Sequence, residues 1–170
     1  MEIKNTISRP DGEPLKVIYN ETDPLADMEG KIFQGIHAFV FCDGKMVLVN
    51  HPRGGWMPPG GGREGEETIE EVVIREVQEE TNMKVLYQEV IGFQDIYERD
   101  PITRQTRNFC IVEPYGEFTA DPDGEIMEIK LIDPVEYKKY FDWGPIGERI
   151  MERAMEMLKV YQANSCQKPL

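Results

Sequence analysis

The stretch from Thr68 to Asn82 admits one local structure, and that structure puts carboxylates where a packing helix would put leucines. Thr68 with Glu71 three residues later forms a capping box, the first turn is acidic as the helix dipole favours, and Asn82 suits a left-handed stop. At about 100° per residue, Ile69, Val72, Val73, Val77 and Met83 share one broad apolar face. Glu76 and Glu80 fall in the middle of that face and Glu79 at its edge. Glu70, Glu71 and Gln78 point away, and Arg75 lies beside Glu71 and Glu79 in angle.

Burying an unpaired carboxylate costs several kcal/mol or forces it to take up a proton, so something must compensate these glutamates. Like charges four apart are themselves unfavourable by about 0.2 to 0.5 kcal/mol on an exposed helix, and by more where water is excluded. Three carboxylates at i, i+3 and i+4 offer oxygens to a hard divalent cation such as Mg²⁺ or Mn²⁺. The competing view is a solvated glutamate-rich helix; the apolar residues at 69, 72, 73 and 77 oppose it.

Around this helix the pattern alternates in the way of strands. Gly35 to Phe41 and Met46 to Val49, joined at Asp43-Gly44, predict a β-hairpin. His51 to Gly62, rich in Pro and Gly around Trp56, is expected to be a loop without strand or helix interior. Val85 to Phe93, Thr106 to Val112 and Met127 to Ile132 read as further strands, with turns near Asp100-Pro101 and at Asp121-Pro122-Asp123-Gly124. A sheet of five or six strands follows.

From Pro134 the pattern turns helical, with Ile146, Ile150, Ala154, Met157 and Leu158 on one face and a polar tail from Gln162 to Leu170. Residues 1–30, with one alternation from Leu15 to Tyr19, are expected to be an N-terminal arm, residues 31–160 the domain proper and 161–170 a tail. The arm could pair in a homodimer. The fold class predicted is α+β, a mixed sheet layered between helices.

With 170 residues the chain suits one core. A net charge of -13 argues against a partner as long as DNA or RNA, which is gripped by Lys and Arg, and leaves small anions held by local arginines or bound cations. No membrane span and no signal peptide is expected, so the default location is cytoplasmic. Cys42, Cys110 and Cys166 have neither disulfide nor zinc spacing and are expected to be plain thiols.

Read outward from the helix, Gly61, Glu67 and the run Arg75-Glu76-Val77-Gln78-Glu79-Glu80-Thr81-Asn82-Met83 resemble the Nudix box, and Trp56-Met57-Pro58-Pro59-Gly60-Gly61 with Glu64 resembles the approach to it. Asn82 stands where that family prefers Gly, and Glu66 where many members have Gly. The resemblance implies an αβα sandwich with a loop-helix-loop motif that hydrolyses a nucleoside diphosphate linked to another moiety. It implies Mg²⁺, or Mn²⁺ in its place, on Glu76, Glu79 and Glu80 with a backbone ligand at Gly60 or Gly61. It also makes Arg75 and Glu67 the residues that orient this cage. The proton-accepting glutamate comes from the box or from a later loop, where Glu125 and Glu128 flank the turn at Asp123-Gly124.

Arg53 and Arg63 are candidates for phosphate oxygens, and Trp56, Tyr97 and Phe109 for stacking on a base, each against the plainer roles of surface charge and core packing. His37 and His51 lack a partner at metal spacing, and the methionines read as core fillers. The function expected is therefore a metal-dependent pyrophosphohydrolase of a nucleoside triphosphate, ADP-ribose or a similar small nucleotide. The rivals are a non-catalytic sensor of the same fold, which should have lost box carboxylates, and a 5'-pyrophosphohydrolase of RNA, which the acidic charge disfavours.

Overall fold

A computed structural model describes residues 1–9, 11–126 and 128–165. In chain order the elements are β1 (Glu2–Ser8), β2 (Pro14–Asn20), β3 (Lys31–Cys42), β4 (Lys45–His51), β5 (Gly55–Met57), β6 (Gly60–Gly62), α1 (Ile69–Thr81), β7 (Met83–Tyr97), β8 (Ile102–Pro114), β9 (Ile129–Ile132), a 3-10 helix (Pro134–Lys139) and α2 (Gly144–Ser165). The strands form one nine-stranded sheet in the order β1-β2-β7-β8-β3-β4-β5, with β6 on β3 and β9 on β4. β3 and β8 run parallel and the other pairs antiparallel, so the sheet is mixed as expected.

The two faces follow from the period of two along a strand. On β3, Ile36, Ala38, Val40 and Cys42 join Val72, Val73 and Val77 of α1 in one core, while Phe39 and Phe41 join Ile146, Ile150, Met151, Ala154 and Leu158 of α2 in the other. The expected hairpin turn is present, and Asp43 (φ 48°) with Gly44 (φ 77°) supplies the two left-handed residues that a tight two-residue turn requires. Helix α1 has both hydrogen bonds of the capping box, and Asn82 closes it at φ 54°.

The sheet has nine strands where five or six were expected, and four further expectations change. Residues 1–30 are more than an arm with one strand: β1 and β2 form a hairpin, and β2 pairs with β7 so that Val17 and Tyr19 are fully buried. The loop from His51 to Gly62 holds two short strands, because β4 and β3 offer edges that glycine backbone can approach closely. Helix α2 continues to Ser165, past the last apolar position, and Met151 rather than Met157 lies fully in the core. The strand expected from Met127 starts at Ile129; Met127, Cys166 and the end of the polar tail lie outside the described residues. Cys42 and Cys110 are free and buried, and burial pushes both thiols up. Among the described residues no helix is long and apolar enough to cross a membrane.

Candidate active site

Glycine brings the loop before α1 flush against the sheet. In β6, Gly60, Gly61 and Gly62 pair with His37, Ile36 and Gly35. A Cβ on Gly60 would lie 2.3 Å from the carbonyl oxygen of Ile36, and one on Gly61 would lie 2.2 Å from Glu76 Oε1. Only bare backbone fits, and it leaves the Gly60 N–H 2.9 Å from Glu80 Oε2, to which it donates.

Arg75 organises the other side. Its Nε and Nη2 donate to the two oxygens of Glu67 at 2.7 and 2.9 Å, Nη1 to Glu76 at 2.8 Å and Glu79 at 3.3 Å, and Nη2 also to the Gly62 carbonyl at 2.8 Å. The fork fixes the loop to the helix as a planar guanidinium can and an ammonium cannot. Glu67, which also accepts from the Glu64 N–H, is held down at about 2, chiefly by its hydrogen bonds from Arg75, and Arg75 is pushed up in return.

The helix, the glycines and a distant loop enclose a cleft of about 340 Å³ lined by Gly60, Gly61, Gly62, Arg63, Glu64, Arg75, Glu76, Glu79, Glu80, Asp121, Asp123 and Glu125. Seven carboxylates thus face two arginines. Glu76 and Glu80 are 9% and 7% exposed. Burial, reinforced by Glu76, Asp121 and Glu125 and opposed by the Gly60 N–H, pushes Glu80 up to about 8. Burial also raises Glu76, against the pull of Arg75. Such a pocket favours a cation at the carboxylates. The donors are all hard oxygens, yet among the described residues no group of three or more of these side chains is already arranged to hold a metal ion. Arg75, bonded to Glu76 and Glu79, draws them toward its own charge.

The cleft gathers Gly60, Glu76, Glu79, Glu80, Arg75 and Glu125, with Glu67 behind Arg75. Glu128 stays outside, accepting from the Asn50 amide. Arg53 is exposed on the turn after β4 and does not line the cleft, because the strand pair β4-β5 carries that turn away from it. Arg63 reaches the rim, but its Nε donates to the Glu67 carbonyl at 2.7 Å and its guanidinium lies over Phe33. Trp56 packs edge-on to Tyr140 beneath Lys130, against the α2 core, and Phe109 is fully buried there; Tyr97 lies under Lys16 of the N-terminal hairpin. None of these three aromatic rings lines the cleft, since the period of a strand turns Trp56 and Phe109 to the α2 side.

Asp121 and Asp123 carry only a turn signal in the sequence, with nothing to mark them as part of a site. The Asp121 carboxylate accepts from the N–H groups of Asp123, Glu125 and Ile126, curling the loop so that Glu125 faces the helix. An Asx turn was legible there; its return to a helix some 40 residues earlier in the chain was not.

Compared with known proteins, residues 33–154 match the family model of the NUDIX domain. No curated protein matches the chain. Among solved structures it is similar to the pyrophosphohydrolase BsRppH of Bacillus subtilis, with a TM-score of 0.70 at 20% identity over 90% of this chain and 97% of that one. It is also similar to the NUDIX domain of Shewanella oneidensis NrtR complexed with ADP ribose (TM-score 0.57, 20% identity, 73% and 86% covered). An ADP-ribose pyrophosphatase of Streptococcus suis gives a TM-score of 0.52 at 21% identity, with 76% and 92% covered. At these identities the likeness is one of fold.

Proposed function

The chain belongs to the NUDIX family, and from that premise we propose that it is a divalent-metal-dependent pyrophosphohydrolase of a small nucleotide, a nucleoside diphosphate linked to another moiety such as phosphate or ribose. The observation that carries this reading is the burial of Glu76 and Glu80 on the packing face of α1, opening on a cleft of seven carboxylates. Such an arrangement destabilises the fold unless a cation is held there.

The proposed ligands of that cation, Mg²⁺ or Mn²⁺ in its place, are Glu76, Glu79 and Glu80 with a backbone oxygen at Gly60. When bound, it would neutralise the diphosphate and acidify the attacking water. The protein's own part is positioning. Gly60 orients Glu80 through its N–H, and Glu67 holds the Arg75 fork so that Glu76 and Glu79 keep one orientation. Glu125, on a loop fixed by Asp121 and 67% exposed at its side chain, is the proposed acceptor of the water's proton. Arg63, which lines the rim of the cleft, is the arginine proposed to meet a phosphate oxygen.

Turnover of nucleoside triphosphates, ADP-ribose, dinucleoside polyphosphates and nucleotide sugars with Mg²⁺ or Mn²⁺ tests the reading. Glu80→Gln is expected to weaken metal affinity and to lower turnover by on the order of 10² or more, and Glu125→Gln to lower kcat with metal affinity unchanged. Tight nucleotide binding with no turnover of any of them would move the protein to a non-catalytic sensor.

A further inference from the structure

On the α2 side of the sheet lies a second cavity of about 430 Å³, walled by β1, β2, β3, β7, β8 and the start of α2. Arg107 of β8 lines it and is 4% exposed. Among the described residues no carboxylate lies within salt-bridge distance of its guanidinium: Nη1 donates to the Thr106 carbonyl, Nη2 to the amide oxygens of Gln94 and Gln105, and Nε to nothing. Asp142 lines the same cavity, but its Oδ1 accepts from the Gly144 N–H at the start of α2. Arg104, three residues back on the same strand and equally buried, shows how this fold treats a guanidinium that serves packing alone: it is forked onto Asp95 at 2.7 and 2.9 Å.

A buried charge served only by neutral carbonyls is strongly destabilising, and burial already weakens the hold of Arg107 on its proton, down to about 10. The lining mixes polar residues, Asn5, Gln94 and Gln105 among them, with an apolar side. Trp143 lies 6.0 Å from the guanidinium and stacks edge-on to His37 at 5.0 Å, with Leu15, Val17 and Ile146 beyond. The Nδ1 of His37 is also enclosed and has no hydrogen-bond partner among the described residues. This is a cavity of ligand size with converging polar groups in an apolar wall.

We propose that this cavity is a binding site for the planar, oxyanion-bearing end of a small molecule, with Arg107 as its counter-ion and Trp143 as its wall. The oxyanion is a phosphate or a carboxylate, which the fork of a guanidinium accepts in two parallel hydrogen bonds. His37, at the cavity, pairs through backbone with Gly60, at the carboxylate cleft, so the two sites adjoin across one strand pair. The ligand is accordingly either the far end of the nucleotide substrate, which rests on the function proposed above, or a separate small molecule.

Isothermal titration of the full metal-free chain with phenyl phosphate and benzoate, against the neutral benzyl alcohol and benzamide, tests the site. The anions are expected to bind at least 10-fold more tightly than their neutral counterparts, and Arg107→Met to lose at least 10-fold of the anion binding with a Tm equal to or above that of the parent. Equal binding of neutral and anionic probes, no binding at millimolar probe, or unchanged binding by a folded Arg107→Met chain overturns the proposal. If Arg107→Met fails to fold, Trp143→Leu and the anion-to-neutral ratio of the parent chain decide in the same way. Glu80→Gln is expected to bind phenyl phosphate like the parent, so the site stands or falls separately from hydrolysis. With a turned-over nucleotide, phenyl phosphate raising KM at constant kcat identifies the substrate's far end, and binding without competition identifies a separate ligand.

Discussion

A carboxylate on the packing face of a helix needs a neutralising partner, and Arg75 supplies one to Glu76 and Glu79 while Glu80 has the Gly60 N–H. Because the guanidinium reaches Glu67, Glu76, Glu79 and Gly62 at once, an ammonium cannot replace it. Arg75→Lys is therefore expected to lower turnover by about 10- to 100-fold, the usual range for groups that orient a metal cage, with secondary structure by circular dichroism unchanged. His37 gives a pH prediction. Burial, with the Arg107 charge beside it, pushes its ring down to about 3 from an ordinary 6.5, so the folded chain keeps it neutral where the unfolded chain protonates it. The stability this contributes is present above pH 6.5 and lost as pH falls toward 3. Urea unfolding at pH 7.5 and 5.5 is expected to show a larger loss for the parent than for His37→Leu; equal losses would rule the account out.

At the level of elements, α1 and its loop act as one unit. The ends of the helix were legible because capping is local chemistry: Thr68, Glu71 and Asn82 satisfy end groups within a few residues, whatever the rest of the chain does. The short strands of the preceding loop were not, because three glycines have no side-chain pattern and become a strand only when β3 offers its edge. Gly61→Ala probes that fit. A methyl group directed at Glu76 must displace the carboxylate, and a shift of about 1 Å at such a site can cost about 10²-fold in rate. The expected outcome is a folded protein of near-parental Tm with turnover reduced to that extent.

Over the whole molecule, segments far apart in sequence are joined by a few buried polar links. Arg104 donates to both oxygens of Asp95 and to the carbonyls of Pro24 and Ala26, pinning the segment between β2 and β3 onto the sheet. Lys31 adds a second cation to Asp95 at 3.1 Å. Removing one member of a buried pair strands the other, at about 3 to 5 kcal/mol, so Arg104→Met is expected to lower Tm by roughly 10 °C in a thermal melt. A drop of one or two degrees would show that Lys31 alone suffices.

The helix with its caps, the Asp43-Gly44 hairpin, the two-faced strands and the family are all legible in the chain alone, since each rests on residues close together or on a fixed spacing. It also exposed Glu76 and Glu80 as misplaced, because helical periodicity is a local rule. Which distant residues meet these two depends on how the strands and loops pack in three dimensions. Asp121 and Asp123 enter the cleft, Trp56 and Arg53 stay out of it, the N-terminal residues extend the sheet, and Arg107 has no counter-ion among the described residues. Those outcomes depend on strand order and on which face each side chain takes, and neither is encoded in neighbouring residues.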